Sequence, residues 1–358
     1  MNKKVTEYGS EFDWDSSSFY MEDDIESHYI KSKVAYRFRS GRDALKAVAQ
    51  QYKKTHNTVL LPALCCESMV TPFSMNGYHV AFYKLKEDLT ADEDDIKAKM
   101  SDTALMVYIS YFGIDPLSAI SLEALKEGYP NAKFIEDRTH TPLENNTNRE
   151  FVPDAMVISI RKWLAIADGG LVFSNDKFEK NIPADCYFSD LRKEAMKKKS
   201  EFLQSGDEKL KEHFRMLLGE AGDLLDVSPN PYGMTEVSAE QLLKIDYNGI
   251  FEQRVKNVQT LKEGLYPFVD CGKLKFITSS PEKSTLYFPV VVKNRDSVHK
   301  SLAEKAVFCP VIWPIPEQAK NICANSEYVA ENMLAIPCDQ RYKREDMLKI
   351  IEIIKTVI

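Results

Sequence analysis

Short apolar segments alternate with segments of helical periodicity through the first half of the chain. Six segments rich in β-branched and aromatic residues are predicted as strands: TVLLPAL, HVAFYKL, TALMVYISYF, AKFIEDRT, AMVISI and GLVFS. Helical patterns lie between several of them, at 40–54, 66–76, 92–100 and 117–127. Strands that alternate with helices predict an α/β fold, with a mostly parallel sheet covered by helices on both faces.

The second half of the chain is helical at first and then mixed. Apolar residues recur every three or four positions over 190–225 and 235–265. The strand candidates LKFITS, TLYFPVVV and VFCPVIW follow, and then the helical pattern REDMLKIIEIIKTVI. We therefore predict a large domain over 36–235, then a bridging helix and a smaller C-terminal α/β domain over 236–358. A polar N-terminal arm, 1–35, precedes both domains.

Composition and charge exclude several classes of function. The 358 residues carry a net charge of −7, which gives a nucleic-acid partner no general electrostatic support. No run of about 18 apolar residues occurs, so we expect no membrane partner. The first residues lack the apolar core of an export signal, and seven cysteines without a C-x-x-C motif fit reduced thiols in the cytoplasm. No cysteine pair lies at ligand spacing from a histidine, so we expect no metal site.

Two sites in the predicted large domain are suited to binding charged groups. Gly41 and Arg42 open a predicted helix, where free N–H groups and the positive helix end favour a phosphate; an ordinary helix cap is the alternative. Asp137 ends a predicted strand, and His140 follows it closely. A carboxylate at the carboxyl end of a parallel strand can hold a cationic ring nitrogen, although a solvated turn would show the same residues.

A third site follows the next predicted strand. Ser159 and Lys162 lie there, and Lys162 is 25 positions after Asp137, the length of one loop and one strand. A partly buried lysine has a lowered pKa and becomes an amine nucleophile, whereas a solvated surface lysine does not. We expect Gly169 and Gly170 to let the backbone pass close to a bound ring. Phosphate, ring nitrogen and aldehyde together indicate pyridoxal 5'-phosphate as the cofactor.

Several motifs resemble those of a known family. The segment GRDAL resembles a Gly-Thr-x-Ala-Leu phosphate motif, and IEDRTH resembles Glu-Asp-x-x-His/Gln. The segment KWLAIADGG resembles Lys-x5-Asp/Glu-Gly-Gly, and YGMTEVSAEQL resembles a helix start that reaches the partner subunit. Over roughly 36–350 the sequence resembles the DegT/DnrJ/EryC1/StrS family of pyridoxal-phosphate-dependent sugar aminotransferases. The resemblance implies fold type I of the transferases that use this cofactor.

The resemblance assigns roles to individual residues. Lys162 is implied to be the catalytic lysine that forms the Schiff base with the cofactor and carries protons. Asp137 is implied to meet the ring nitrogen, His140 the ring hydroxyl and Ser159 the phosphate. Cys66 lies near the position where the family often stacks an aromatic ring on the cofactor. The implied cofactor-binding residues are Gly41, Arg42, Cys66, Asp137, His140, Ser159 and Lys162.

The family's reaction supplies the expected function. It implies transfer of an amino group, from glutamate as the usual donor, to a keto sugar that is often nucleotide-linked, in polysaccharide or cell-surface sugar biosynthesis. It also implies a homodimer whose subunits share the active site. Weaker candidates for substrate contact are Arg138, Tyr232, Trp313 and Arg341. Arg138 could instead pair with Glu136, Trp313 could belong to the core, and Arg341 could be a surface or capping residue.

Departures from the family pattern leave other functions open. Cys65 and Cys66 replace the stacking aromatic, Arg138 and Thr139 replace two small residues, and Gly233 replaces an arginine. A different reaction of the same cofactor, such as a lyase reaction, is one alternative. A cofactor-binding protein without catalysis is another, and a binding module without cofactor is a third. Cys65 and Cys66 are either structural thiols or a redox pair.

Overall fold

The computed structural model of the chain describes residues 5–17, 34–53, 57–143, 151–277 and 283–358. Within these ranges it contains ten β-strands and eleven α-helices. The strands are β1 (Val34–Phe38), β2 (Thr58–Pro62), β3 (His79–Tyr83), β4 (Thr103–Ile109), β5 (Lys133–Asp137), β6 (Ala155–Ile158), β7 (Gly170–Ser174), β8 (Leu274–Phe276), β9 (Phe288–Val292) and β10 (Met333–Ile336).

Helices separate most of the strands, and polar side chains cap several of them. Ser40, Asp92 and Asp185 each accept a hydrogen bond from a backbone N–H in the first turn of the helix that follows. The helices are α1 (Gly41–Gln51), α2 (Glu67–Ser74), α3 (Glu93–Lys99), α4 (Ala119–Gly128), α5 (Cys186–Ser205), α6 (Glu208–Asp223), α7 (Glu236–Leu242), α8 (Tyr247–Asp270), α9 (Arg295–Glu304), α10 (Ala324–Asn332) and α11 (Arg344–Lys355).

Seven strands form one sheet in the order β1-β7-β6-β5-β4-β2-β3. The strands β2 to β6 run parallel, and β7 is antiparallel to both of its neighbours, β1 and β6. All seven residues of β4, near the middle, are buried. A strand that is apolar on both faces needs cover on both faces, and helices supply it. The α/β class with a mostly parallel sheet is therefore confirmed.

Three elements differ from the predicted ones. β1 is absent from the predicted strands: its first two residues lie in the predicted arm and the other three in the predicted large domain, and all five pair with β7. The predicted strand VFCPVIW is irregular, because Pro310 and Pro314 supply no backbone donors for a ladder. β10 occupies its place in the small sheet and pairs with β9.

The two long helical regions are each divided in two. Gly206 ends α5 in the left-handed conformation, with φ of 75°, which favours glycine. Asp246 begins α8, because its carboxylate accepts a hydrogen bond from Gly249 N at 2.8 Å. Across the ranges that the structure describes, no helix has both the length and the apolar character needed to cross a bilayer.

Three antiparallel strands form the second sheet, in the order β10-β9-β8. Its core is apolar and includes Val290, Leu302, Ile336 and Ile350, all buried. The small sheet lies within the predicted C-terminal domain, and the large sheet lies within the predicted large domain except that β1 begins at Val34, in the predicted arm. The boundary at residue 235 stays a prediction.

The described part of the N-terminal arm lies against both halves of the chain. Val5 N donates to Leu203 O in α5 at 3.0 Å. Further along, Tyr8 N donates to Ala306 O at 2.9 Å, and Phe308 N donates to Tyr8 O at 2.7 Å. Backbone hydrogen bonds thus attach the arm to α5 and to the segment after α9.

The start of α1 and the start of β7 make a close backbone contact. Gly169 N donates to Arg39 O at 2.7 Å. A Cβ atom on Gly170 would lie 2.1 Å from Ser40 O and 2.9 Å from Gly41 N, closer than atoms can approach. The second glycine of the Gly-Gly pair is therefore required for packing against α1.

We expect Gly170→Ala to destabilise the protein by about 1–3 kcal/mol, the usual cost of overpacking, because backbone atoms cannot move aside as a flexible side chain can. The measurement is the free energy of unfolding in urea. Gly219→Ala in α6 is the matched control, since its Cβ would meet nothing within 4 Å. The control should be as stable as the wild type, or more stable by up to about 1 kcal/mol. Equal stability of the two variants would contradict the packing argument.

Candidate active site

Two neighbouring parallel strands bring the candidate residues to one edge of the sheet. Asp137 is the last residue of β5, and it pairs in register with Val157 of β6. One turn of 3-10 helix, Ile160–Lys162, follows the end of β6. Because parallel strands end at the same edge, Asp137 and Lys162 come together there, as the sequence predicts.

Two cavities meet at this edge. The first, here called the strand-end cavity, has a volume of about 120 Å³. Six of the seven predicted cofactor-binding residues line it: Gly41, Arg42, Cys66, Asp137, Ser159 and Lys162. The second, here called the arm cavity, has a volume of about 280 Å³ and is lined by His140, Trp313, Arg341 and residues 9–12 of the arm, among others. Arg161 and Lys162 border both cavities.

The start of α1 and Ser159 together form a cradle for an anion. Ser40 Oγ accepts a hydrogen bond from Asp43 N at 3.2 Å, which fixes the first turn of the helix. A Cβ atom on Gly41 would lie 2.8 Å from Ser159 Cβ and 3.2 Å from Ser159 Oγ. A side chain at position 41 would therefore fill the space between the helix start and the serine hydroxyl. A phosphate fits such a site, because it accepts from N–H and O–H donors and is favoured by the helix dipole.

A buried ion network holds the start of α1 in place. Arg39 Nε lies 2.9 Å from Asp43 Oδ2, and Arg39 Nη1 lies 2.6 Å from Asp185 Oδ2. The ring of Tyr232 covers the guanidinium, with its centroid 4.5 Å from Arg39 Cζ. Tyr232 thus packs on this network and lines neither cavity, so its predicted contact with substrate stays a prediction.

Asp137 is a carboxylate whose surroundings favour a cationic partner. Its Oδ1 accepts a hydrogen bond from Thr139 N at 2.8 Å. Burial raises the pKa of Asp137, while the hydrogen bond from Thr139 and the charge of Lys162 act in the opposite direction. A cation placed against this carboxylate stabilises the ionised form. The cationic ring nitrogen of a cofactor meets that requirement.

Lys162 is an accessible amine whose surroundings favour its neutral form. Its side chain is exposed and lines both cavities. Burial lowers the pKa of Lys162, and the nearby Arg161 lowers it further, while Cys66 and Asp137 oppose the change. A neutral amine that a small molecule can reach is a nucleophile, and it can also accept a proton.

His140 lies on the arm-cavity side, among aromatic rings. Its ring centroid is 4.4 Å from that of Phe112 and 5.2 Å from that of Trp313. Its buried Nδ1 has no hydrogen-bond partner among the described residues. Burial, with a smaller contribution from Lys162, lowers the pKa of His140 to about 3. Trp313 lines the cavity and packs on His140, and its predicted contact with substrate stays a prediction.

Arg138 pairs with Glu136, one of the two alternatives given above, and its predicted contact with substrate stays a prediction. Its Nη1 donates to Glu136 Oε1 at 3.0 Å, and Ser110 Oγ donates to the same oxygen at 2.8 Å. Arg138 is buried and lines neither cavity. Pairing with Glu136, the alternative given above, accounts for its position.

Arg341 lines the arm cavity, but its donors are already engaged. Its Nε and Nη2 each lie 2.8 Å from an oxygen of Asp339. Its Nη1 donates to Glu11 O at 3.0 Å, and Nη2 also donates to Ser10 O at 2.8 Å. Arg341 therefore holds the arm against the cavity, and its predicted contact with substrate stays a prediction.

The cysteine pair after β2 is divided between the cavity and the core. Cys66 Sγ lies 2.9 Å from Ser68 Oγ, and both residues line the strand-end cavity. Cys65 is fully buried, and burial raises the pKa of its thiol well above the ordinary value. Both cysteines are free thiols. A structural role explains Cys65, and Cys66 occupies the cavity wall.

The aspartate of the Lys-x5-Asp-Gly-Gly pattern has a structural task. Asp168 is buried, and it accepts hydrogen bonds at 2.9 Å from both Thr235 N and Thr235 Oγ1. Thr235 is the residue before α7. The motif that supplies Lys162 therefore also fixes the start of α7.

The structure adds residues that the sequence did not assign to the site. Arg161, Arg254 and Glu11 all line the arm cavity. The position of Arg161 next to Lys162 in the sequence could have indicated that it belongs to the site. Glu11 and Arg254 carried none, because the chain brings them in from distant segments.

A family model confirms the class of protein that the fold and these residues define. The model of the DegT/DnrJ/EryC1/StrS aminotransferase family matches residues 21–355, and the chain belongs to that family. It is therefore an enzyme of an aminotransferase family. No curated protein matches the sequence.

Solved structures share the fold at low sequence identity. The aminotransferase PseC of Helicobacter pylori, involved in the biosynthesis of pseudoaminic acid, is 14% identical with a TM-score of 0.69, over 93% of this chain and 88% of PseC. A sugar aminotransferase of Micromonospora echinospora is 16% identical with a TM-score of 0.60, over 90% and 87%. DesI, solved in the presence of its TDP-sugar product, is 16% identical with a TM-score of 0.66, over 93% and 82%.

We expect His140 to stay neutral between pH 5 and pH 8, because burial opposes its protonation. An unfolded chain protonates this histidine below about pH 6.5, so the folded state loses stability relative to it as the pH falls from there toward 3. Between pH 7 and pH 5, His140→Gln should therefore gain about 2 kcal/mol of unfolding free energy relative to the wild type.

The measurement is an NMR titration of the histidine ring protons, with His140→Gln to assign the resonance, beside urea unfolding at both pH values. His213, an exposed histidine of α6, provides a second histidine resonance for comparison. A His140 resonance that titrates near pH 6 would contradict the expectation.

Proposed function

We propose that this aminotransferase binds pyridoxal 5'-phosphate in the strand-end cavity and transfers an amino group to a keto sugar. The observation that carries the proposal is the meeting of three chemical groups around one cavity. The Lys162 amine, the Asp137 carboxylate and the cradle of Gly41 and Ser159 all line it. Few ligands other than this cofactor combine an aldehyde, a basic ring nitrogen and a phosphate.

The residues present fit the cofactor. The cradle at Gly41 has room for phosphate oxygens only because a side chain is absent there. Asp137 provides the carboxylate for the ring nitrogen, and Lys162 provides the amine that would hold the aldehyde covalently. The proposed cofactor-binding set is Gly41, Arg42, Cys66, Asp137, His140, Ser159 and Lys162. When bound, the cofactor supplies an electrophilic carbon and a ring that withdraws electrons from it.

The protein's own groups would orient the reactants and move protons. Asp137, ionised beside a ring cation, fixes the direction of the ring. Lys162 has a lowered pKa, so its Nζ can take a proton from a bound substrate and return it at another carbon. Neutral His140 offers a hydrogen bond without adding a positive charge. His140 is buried, which keeps its hydrogen-bond partner from competing water.

The nature of the two substrates is proposed from the family. Glutamate is the proposed amino donor, and a nucleotide-linked keto sugar is the proposed acceptor, in polysaccharide or cell-surface sugar biosynthesis. DesI was solved with a TDP-sugar product, and PseC takes part in pseudoaminic acid biosynthesis, which supports a sugar acceptor. The arm cavity, with Trp313 and Arg341 in its wall, is the proposed route of the substrates to Lys162. We also propose a cytoplasmic location, consistent with the free cysteines.

A second candidate is a protein that binds the cofactor with another activity or none. The wall position of Cys66 favours it, because a thiol gives a bound ring less contact area than an aromatic side chain does. A donor-driven spectral change separates this candidate from the aminotransferase.

We expect purified protein with added cofactor to develop a visible absorbance band that borohydride fixes covalently to the chain. Lys162→Ala should show neither the band nor the covalent product, because the amine is missing. Glutamate should then bleach the band of the wild type. Absorbance and mass spectrometry of peptides measure these outcomes, and loss of activity in the variant should reach about 10²-fold or more.

Lys198→Ala is the matched control, since Lys198 lies on α5 and pairs with Glu194 and Glu201 outside both cavities. It should behave as the wild type does. A band that glutamate leaves unchanged would favour the second candidate. The absence of any band at saturating cofactor would contradict cofactor binding itself.

We also propose a homodimer, as the family resemblance implies, with each active site completed by the partner. Sedimentation should then give about twice the mass of one chain at micromolar concentration. A mixture of Lys162→Ala with a second variant that is inactivated in the segment YGMTEVSAEQL, which the resemblance implies reaches the partner subunit, should regain activity if sites are shared. A monomer of full activity would exclude the shared site.

A further inference from the structure

The arm cavity carries more positive charge than its neighbours neutralise. Arg161 and Arg254 line it together with Lys162 and Arg341. Arg341 is paired with Asp339, and Arg254 donates to Gln340 Oε1 at 2.8 Å and to two backbone carbonyls. Among the described residues, Arg161 is the arginine of this cavity with a buried donor, Nε, that has no hydrogen-bond partner.

Arg161 is a guanidinium in an unusual setting. Its Nε is buried and has no hydrogen-bond partner among the described residues. Burial lowers the pKa of Arg161 to about 9, and the charge of Arg192 contributes to the decrease. A buried donor without an acceptor is costly, and a second guanidinium nearby increases the cost. An anion between the two arginines would offset both.

One carboxylate of the chain already lies at this place. Glu11 lines the arm cavity, and its Oε2 is 3.6 Å from Arg192 Nη2. Burial would raise the pKa of Glu11, but Arg192, Arg161, Lys199 and Arg341 together hold it below the ordinary value. These cations thus hold Glu11 as an anion, and its contact with Arg192, at 3.6 Å, is longer than a close ion pair.

The arm is held at this position by groups other than the Glu11 carboxylate. Lys199 Nζ donates to Ser10 Oγ at 2.6 Å and also to Glu11 O. Arg341 donates to the backbone oxygens of Ser10 and Glu11. These bonds fix the backbone of the arm. The Glu11 side chain is 55% exposed, so its contact with Arg192 can break without moving that backbone.

We infer that Arg161 and Arg192 form the binding site for a carboxylate of the amino donor, and that the Glu11 carboxylate competes for it. The inference rests on the proposed function, because it places a donor in the arm cavity beside Lys162. The guanidinium fork matches a carboxylate, with two parallel N–H donors for two oxygens. A free dicarboxylate would make closer contacts than Glu11 does at 3.6 Å.

The test is calorimetric titration of the full-length protein with glutarate, a five-carbon dicarboxylate that has no amino group and cannot react. Glu11→Gln removes the competing charge and keeps the size of the side chain. It should tighten glutarate binding by about three- to tenfold. Arg192→Gln should weaken binding by about tenfold. In the double variant, Glu11→Gln should no longer tighten binding, because the site is lost.

Two controls separate the local charge from general effects. Asp15→Asn removes a carboxylate from an exposed position of the same arm, and Lys198→Gln removes a cation from an exposed face of α5. Both should bind glutarate as the wild type does. A gain of affinity in Glu11→Gln cannot come from misfolding, so the result stays decisive if Arg192→Gln folds poorly. Unchanged binding in Glu11→Gln would overturn the inference.

Two further measurements test whether the arginines bind the cofactor phosphate or the sugar acceptor instead of the donor carboxylate. If pyridoxal 5'-phosphate displaces glutarate, Arg161 serves the cofactor phosphate and the inference is overturned. If Glu11→Gln lowers the KM of the sugar acceptor and leaves that of glutamate unchanged, the arginines bind the acceptor and the inference is also overturned. The inference requires a lower KM for glutamate alone. Glutarate binding is measured without turnover, so it is independent of the reaction. A protein that binds glutarate as described but does not react with glutamate would contradict the proposed function and not the anion site.

Discussion

A backbone contact joins the start of α1 to the glycines that open β7, and the candidate site depends on it. Gly169 N donates to Arg39 O, and Gly170 lies too close to Ser40 and Gly41 for any side chain. Because β7 pairs with β6, this contact also fixes α1 relative to the end of β6. Ser159 thereby faces the helix start. The proposed phosphate cradle depends on strand pairing and on one missing Cβ atom, rather than on a flexible loop.

The second constraint is the pairing of buried arginines, which differs between Arg39, just before α1, and Arg161, at the cavities. On the inner side, Arg39 is neutralised by Asp43 and Asp185, so a buried cation becomes part of the scaffold. On the cavity side, Arg161 has no such partner at Nε, and Lys162 lies next to it. A buried donor without an acceptor costs free energy until a ligand supplies one. The Arg39 cation thus belongs to the scaffold, whereas the unpaired donor of Arg161 favours an anionic ligand.

The sequence was sufficient for the sheet and for the meeting of Asp137 with Lys162, because alternating strands and helices dictate a parallel sheet whose strand ends share one edge. It was insufficient for Gly170, which we expected beside a bound ring and which lies against α1. It also failed at 307–313, where apolar residues suggested a strand and prolines prevented one. Contacts such as that of Glu11 with Arg192 join distant segments, and no local pattern records them.

Arg161 and Lys162, adjacent in the 3-10 turn after β6, have different roles. Arg161 N donates to Gly169 O, and Lys162 N donates to Ser159 O, so both backbones are fixed. Arg161 stays charged and lowers the pKa of Lys162, which favours the neutral amine. An anion held by Arg161 would cancel part of this effect and raise the proton affinity of Lys162 when the ligand is bound. The arginine thus does more than attract an anion: it makes the basicity of the neighbouring amine depend on whether the anion is present.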